Sequence, residues 1–176
     1  MPTFRPFHLA IAAVLAAPLV LVAASNRTKP AGPPWISIEY PANPLDQSTR
    51  GAFLLVHAFH HGTPVQSPVR GTAEGLVRGE RKSVALRFET TTRPGVYALR
   101  KQWSDDGVWA LVISVVQGEK DAAQALVELG ADGGISSVRV PTRRQNEWVI
   151  PRGVATAEVE QSLQSRAATR TAESRR

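Results

Sequence analysis

The chain of 176 residues carries 21 basic and 15 acidic residues, for a net charge of +6, and 43% of its residues are hydrophobic. This length suits one ordinary domain with extensions, and the hydrophobic fraction is that of a globular protein. The chain has no cysteine, which excludes disulfides, cysteine-ligated metal sites and thiol catalysis. Because aromatic residues make up only 6%, the core must be built mainly from Val, Leu, Ile and Ala.

The N-terminal residues have the organisation of an export signal. A short basic segment precedes the apolar run Leu9–Ala24, and the small residues at the end of that run fit a signal-peptidase site after Ala24. The run is short for a membrane-spanning helix and contains Pro18, which favours removal, with an uncleaved anchor as the alternative. We therefore predict a signal peptide over residues 1–24 and an extracytoplasmic protein, either periplasmic or secreted.

A Pro- and Gly-rich linker over residues 25–33 leads into a predicted β domain over residues 34–142. Short runs of apolar and β-branched residues, separated by turn signals, predict about eight strands. In chain order these are Trp35–Tyr40, Ala52–His60, Val69–Val77, Ser83–Phe88, Val96–Leu99, Val108–Val116, Ala123–Leu129 and Ile135–Val140. Such spacing is typical of an antiparallel β-sandwich of about seven to eight strands.

Two of these predicted pairings depend on turn residues. Asp106-Gly107 favours a hairpin that joins Val96–Leu99 to Val108–Val116. The outgoing strand is apolar at both alternating sets of positions, which predicts a central strand covered on both faces. The segment Ala123–Leu129 also fits a helix, but the Gly-rich turn after it favours a strand hairpin with Ile135–Val140.

Residues 143–176 are predicted to form a C-terminal extension. Pro141 ends the sheet pattern, and Glu147–Ile150 offers one more apolar patch. Further on, Ala, Glu and Gln dominate, and acidic residues near the start favour a helix from about Thr156 to Ala168. We expect the basic end beyond it to be disordered.

The central residues resemble a known family. Pro94-Gly95-Val96-Tyr97, a polar turn and the strand beginning Gly107-Val108-Trp109 are similar to the "PGxY … GxWxLxV" ending of small extracytoplasmic immunoglobulin-like domains of the YtkA-like and FixH-like type. The turn Gly62–Val65 is similar to the "GxPV" turn of such domains, and the resemblance covers residues 52 to 116. It implies an all-β, immunoglobulin-like sandwich and a link to copper handling and oxidase assembly, with no catalytic residues to transfer.

Tyr97 and two tryptophans are predicted to have structural roles. Tyr97 follows a Gly by two residues at the start of a late strand, which is the placement of a tyrosine corner. Trp103 and Trp109 flank the polar turn, and we expect them to cover one end of the sandwich rather than to stack on a ligand.

The three histidines His57, His60 and His61 are the candidate metal ligands. Neutral imidazoles are common ligands of copper and zinc. In a flat strand, however, His57 and His61 share one face about 13 Å apart, while His60 points to the other face. A shared metal site therefore requires a bulge or turn near Gly62, and further ligands such as Glu74 or Glu89.

No catalytic motif appears in the sequence, so we predict that the protein is not an enzyme. A nucleophile elbow, a zinc-protease helix, a phosphate-binding Gly loop with Lys and a calcium loop are all missing. The favoured function is a non-enzymatic binding or accessory module of the bacterial envelope that acts through a sheet edge or its loops. The alternative is a copper- or zinc-binding accessory protein, and otherwise no cofactor is expected.

The positive charge bears on the partner. For an exported protein it suggests anionic lipid heads or cell-wall polymers before nucleic acid, although dispersed Arg and Lys pairs also fit an ordinary solvated surface. The expected partner is an unknown envelope protein or an anionic surface polymer. We expect no nucleic acid, and contact with a membrane only through an uncleaved signal segment.

Overall fold

The computed structural model describes residues 32–118 and 121–173, so the predicted signal peptide lies outside the described residues. The strands are β1 (Trp35–Glu39), β2 (Leu54–His60), β3 (Thr63–Pro64), β4 (Val69–Val77), β5 (Glu80–Ala85), β6 (Phe88–Thr90), β7 (Val96–Leu99), β8 (Val108–Gln117), β9 (Asp121–Leu129), β10 (Ile135–Arg139), β11 (Thr142–Gln145) and β12 (Trp148–Pro151). An α-helix, α1 (Thr156–Glu173), follows the last strand.

The strands form two larger antiparallel sheets and one separate hairpin. Sheet A has the order β1-β2-β7-β6, with the short β3 paired to β2. Sheet B has the order β10-β9-β8-β4-β5, and β11 pairs only with β12. The prediction of a mainly antiparallel β protein with a C-terminal helix is confirmed. The described residues contain twelve strands, more than the predicted seven to eight, because short strands form at β3, β6, β11 and β12.

The main hydrophobic core lies between sheets A and B. Sheet A contributes Ile36, Leu54, Val56, Ala58 and Leu99, and sheet B contributes Ala73, Leu111, Ile113, Val115, Ala123, Ala125 and Val127. Each strand supplies every second residue to this core, as the alternation of side chains in a strand requires. The two sheets therefore face each other across one shared apolar layer.

The central position of β8 is confirmed. It is the middle strand of sheet B, between β4 and β9. Trp109 and Ile113 point into the main core, whereas Ala110 packs on the outer face with Val159 and Leu163 of α1. The helix thus covers the outer face of sheet B, which explains why β8 is apolar at both alternating sets of positions.

The predicted hairpin between β7 and β8 is wrong. Strand β7 pairs with β2 and β6 in sheet A, while β8 belongs to sheet B. The connection over residues 100–107 crosses from one sheet to the other, and its Trp103 is buried in the main core. The Asp106-Gly107 turn does form, with Gly107 at a φ of 86°. It introduces β8 but does not close a hairpin.

The predicted single strand Ser83–Phe88 is also divided between the sheets. Strand β5 ends at Ala85 in sheet B, and β6 begins at Phe88 in sheet A. The side chain of Gln102 accepts a hydrogen bond from the Arg87 N–H and donates one to the Arg87 carbonyl, at 2.9 and 2.8 Å. These two bonds pair the N–H and the carbonyl of Arg87 at the point where the chain has left sheet B and has not yet joined sheet A. The chain can therefore cross between the sheets here without leaving these backbone groups unpaired.

Helix α1 starts where predicted and continues beyond Ala168 to Glu173. Arg166 donates to the Leu129 carbonyl and Arg170 to the Gly107 carbonyl. These bonds hold the last turns against sheet B, so the helix does not end at the predicted residue. Across the described part of the chain, α1 included, no helix combines the length and apolarity needed to cross a membrane.

Candidate functional site

The three histidines lie at the end of β2 and in the turn that follows. His60 pairs with Thr63, so His61 and Gly62 form a two-residue turn in which both have positive φ, at 48° and 77°. Two positive φ angles are characteristic of the tight turn that joins adjacent antiparallel strands. The sequence allowed a turn here, and the structure places it one residue after His60. His60 is buried, whereas His61 is exposed, with their ring centroids 4.2 Å apart.

His57 lies apart from the other two and has its own partners. It is three residues from His60 in the same strand, so the two side chains point to opposite faces of sheet A. Its Nε2 lies 2.8 Å from a carboxylate oxygen of Glu39, which also accepts a hydrogen bond from Arg93 at 3.1 Å. Burial raises the pKa of Glu39, but the hydrogen bonds from His57 and Arg93 outweigh it and lower the pKa below its ordinary value. Glu39 is therefore a charged partner that orients the His57 ring.

The described residues contain no group of three or more His, Asp or Glu side chains placed to hold a metal ion. Glu74, one of the suggested additional ligands, bonds to Ser83 and Arg81 on sheet B, and Glu89 pairs with Arg100. The turn at His61 brings one imidazole next to another but not next to His57. The copper or zinc site at these histidines stays a prediction, without a third converging ligand in the described chain.

The two tryptophans near the polar turn are structural, as expected. Trp109 donates from Nε1 to the Asp106 carbonyl at 2.8 Å, and Trp103 packs edge-on against Phe53 with ring centroids 5.1 Å apart. Both rings are buried in the main core, so neither is accessible to a ligand.

The predicted tyrosine corner is not formed among the described residues. Tyr97 lies in β7, where burial raises the pKa of its hydroxyl, and no described residue exchanges a hydrogen bond with that hydroxyl. Tyr97 does lie two residues after Gly95 near the start of β7, so this spacing alone does not produce the corner.

The strongest candidate for a binding surface is the hairpin β11–β12. Its Trp148 is 73% exposed and its Val149 is 51% exposed, although they are consecutive residues of a strand. Beside the hairpin lies a cleft of about 460 Å³. It is lined by Gly32, Pro33, Trp35, His61, Gln145, Asn146, Trp148, Val149 and Ile150.

The cleft has a mixed apolar and polar lining. Trp35 of β1 is 39% exposed, and exposed aromatic rings beside polar side chains are characteristic of binding surfaces. His61 is the one predicted metal-ligand residue that lines this cleft. We name the hairpin β11–β12 together with Trp35 the tryptophan surface.

Two arginines of β11 accompany the exposed apolar side chains. Arg144 lies directly opposite Val149, and Arg143 lies opposite Ile150. Both arginines are exposed, and within the described chain neither takes part in an ion pair. The nearby Arg152, by contrast, is bound bidentately by Glu158, at 2.7 and 3.1 Å. The tryptophan surface therefore carries cationic groups that no described carboxylate neutralises.

The sequence predicts only part of this surface. It indicates that Glu147–Ile150 is apolar, and it predicts that this segment packs against the sandwich. The tight turn at Asn146, with a φ of 55°, instead lifts Trp148 into an independent hairpin. Asn146 is the sequence feature that could have predicted this hairpin, because Asn favours a two-residue turn between paired strands.

Comparison of the chain with family models, with curated proteins and with solved structures finds no match.

Proposed function

We propose that this protein is an exported, non-enzymatic, immunoglobulin-like binding module of the bacterial envelope. The strand order supports this class. In immunoglobulin-type sandwiches one sheet has the order A-B-E-D, and the other has G-F-C, extended by C′ in some members. Sheet A follows the first order as β1-β2-β7-β6, and sheet B follows the second as β9-β8-β4-β5. Strand β10 is then an addition at the β9 edge.

The exposure of Trp148 is the observation that carries the binding function. Exposed apolar side chains that cluster at one place on a soluble protein mark interaction sites, and Trp148, Val149 and Trp35 line one cleft. Tryptophan and arginine are also the residue types that dominate binding energy at interfaces. We propose that the tryptophan surface is the part of the module that contacts an envelope partner, either a protein or an anionic surface.

The resemblance to YtkA-like and FixH-like domains agrees with this proposal, since those domains are small extracytoplasmic modules. The copper link that the resemblance implies has weaker support here, because the three imidazoles do not converge among the described residues. The metal-binding alternative therefore ranks second.

The location is tested with the full chain carrying a C-terminal epitope tag, expressed in a bacterium whose outer membrane can be removed. We expect protease added to intact spheroplasts to destroy the tag, or the tagged protein to appear in the released fraction, while a cytoplasmic marker stays intact. A tag that is protected until the cells are lysed would contradict export.

The binding surface is tested with a photoreactive residue in place of Trp148 in the same cells. The matched control carries the photoreactive residue in place of Leu45, which is 84% exposed in the β1–β2 connection. Since β1 and β2 are antiparallel, this connection lies at the opposite end of sheet A from Trp35. We expect covalent adducts from position 148 in clear excess over position 45. Equal yields from the two positions would reject the tryptophan surface as the binding site.

A further inference from the structure

Each face of the hairpin β11–β12 carries one apolar side chain that is exposed to solvent. Trp148 and Val149 are consecutive strand residues, so their side chains leave opposite faces of the hairpin. Both are more than half exposed. A rigid partner that docks on one face would leave the other side chain in water. A fluid apolar medium that surrounds the hairpin would bury both.

Each face of the hairpin also carries one arginine. Residues directly opposite in an antiparallel pair share a face, so Arg144 accompanies Val149 and Arg143 accompanies Ile150 and Trp148. Arginine places its aliphatic stem along apolar groups while its charged head stays in a polar layer. Tryptophan has the matching preference for the boundary between hydrocarbon and headgroups. This combination fits the interfacial region of a bilayer that contains anionic lipids.

The described chain begins beside the hairpin. Gly32 and Pro33 line the same cleft as Trp148, and the apolar run Leu9–Ala24 precedes them in sequence. Residues 25–31, which precede Gly32 in the sequence, contain Arg27 and Lys29 and no acidic residue.

We propose that the apolar side chains of β12 enter the interfacial layer of an anionic membrane, and that Arg143 and Arg144 of β11 hold the domain against that membrane. The turn residue Glu147 is the one acidic residue of the hairpin, so the two arginines leave the hairpin with a net positive charge. The inference rests on the proposed function, because it requires an exported domain, and it names the anionic lipid surface as the partner. Trp148 and Val149 enter the headgroup layer, and Arg143 and Arg144 pair with lipid phosphates. Contact with the membrane is then made by the folded domain itself, in addition to any contact through residues 1–24.

The test uses the absence of cysteine in the chain. A single cysteine introduced by Val149→Cys in the full chain takes an environment-sensitive fluorophore at one position, and Leu45→Cys gives the matched control. Each labelled protein is added to vesicles of phosphatidylcholine alone and to vesicles that also contain phosphatidylglycerol. Lipids with a quencher in the upper acyl chain then report the depth of each label. Both variants retain the apolar run, so any insertion through that run is common to both.

We expect the label at position 149 to shift to the blue and to be quenched in vesicles with phosphatidylglycerol, while the label at position 45 stays aqueous. Adding Arg143→Gln and Arg144→Gln to the position-149 variant should lower the partition coefficient between vesicles and water by roughly fivefold per arginine. A label at position 149 that stays aqueous in both vesicle types would overturn the inference. A shift with soluble peptidoglycan fragments but not with vesicles would likewise overturn it and assign the cleft to a glycan. Export and crosslinking from position 148 would still stand in either case.

Discussion

At the scale of single residues, the contact between Trp109 and Gly75 shows how closely the core is fitted. The two residues are paired across β8 and β4, and the indole ring lies over the glycine. A methyl group at position 75 would lie 2.5 Å from the ring. Both groups are held in a sheet, so neither can move away without disturbing the ladder.

We therefore expect Gly75→Ala to lower the free energy of unfolding by about 1–3 kcal/mol, the usual cost of overpacking. Thermal or denaturant unfolding measures the change. Gly153→Ala is the matched control, because a methyl group there would meet only the Gln124 side chain at an ordinary 3.4 Å. Equal stability of the two variants would show that the Trp109 ring can move.

Glu158 ties the start of α1 to the preceding loop. Its carboxylate accepts two hydrogen bonds from Arg152 and one from the N–H of Ala155, which is the residue before the helix. The Arg152 hydrogen bonds, followed by the Ala155 bond, lower the pKa of Glu158 to about 2. A carboxyl whose pKa is lowered by folding stabilises the protein above its unfolded pKa, and this contribution is lost as the pH falls towards the folded pKa.

We expect Glu158→Gln to cost about 1 kcal/mol at neutral pH, the usual worth of a helix cap or charged bond. The difference from the native protein should be constant above pH 5 and should shrink as the pH falls from about 4.5 towards 2. Denaturation midpoints across this range measure it. Glu160→Gln is the control, since Glu160 pairs with Arg81 at the surface and should matter little. A pH-independent difference for Glu158→Gln would contradict the assigned pKa.

The histidines allow a direct decision on metal binding. His57 is held by Glu39, and it points to the face of sheet A opposite to His60. We expect calorimetric titration of copper(II) or zinc to give equally weak binding to the native protein and to the His57→Ala, His60→Ala, His61→Ala triple variant. Tight binding by the native protein that the triple variant loses would restore the metal-binding function and displace our first proposal.

At the scale of elements, α1 completes sheet B. Its Val159 and Leu163 cover Ala110 and Leu126, which would otherwise be apolar groups on an open sheet face. The helix has a weakly apolar face and mostly exposed residues elsewhere, so packing on the sheet rather than propensity stabilises it. Helix α1, which lies within the predicted C-terminal extension over residues 143–176, therefore packs on the β domain.

We expect Leu163→Ala to cost about 2–4 kcal/mol, because Leu163 is fully buried and the sheet below it cannot collapse into the space. Chemical denaturation followed by tryptophan fluorescence measures the loss. Leu45→Ala removes the same atoms from an exposed position and should leave stability nearly unchanged. If the two variants were equally stable, α1 would not be packed on sheet B in solution.

Local apolar spacing and turn residues predict most of the strands. The bounds of β4 and the two covered faces of β8 follow in this way, although Gly71 and Gly75 interrupt the pattern of β4, whereas β9 begins two residues before the predicted Ala123. Sheet membership does not follow in this way. After β5 and after β7 the chain crosses from one sheet to the other, and each crossing depends on which strands pair in each sheet. A single side chain can also set the place of a crossing, as Gln102 does by bonding the backbone of Arg87.

The candidate site shows the same limit. The sequence supplies the residue types, namely imidazoles in one window and a tryptophan near two arginines. The position of the turn decides which of these side chains come together. At His61 this depends on the residue at which β2 ends, and at Asn146 it depends on whether the hairpin packs against the domain or projects from it. In both turns a residue other than glycine has a positive φ. From the sequence, a positive φ is expected first at glycine, so these two turns are hard to predict.

At the scale of the whole molecule, carboxylates pair with some of the described arginines and not with others. Many arginines are engaged by carboxylates, for example Arg139 by Glu128 and Arg152 by Glu158. Arg143 and Arg144 are not engaged by any described residue, and they lie beside the most exposed tryptophan. The tryptophan surface therefore holds two of the described arginines that lack an ion pair.

The crossings between the sheets also set the order in which the molecule can be completed. Strand β1 packs close to β9, more than eighty residues later in the chain, and α1 closes sheet B last of all. Contacts between such distant segments form slowly, because long loops must close before any stabilisation is gained. The contacts of β1 with β9 and of α1 with sheet B can therefore form only after nearly all of the chain has been synthesised.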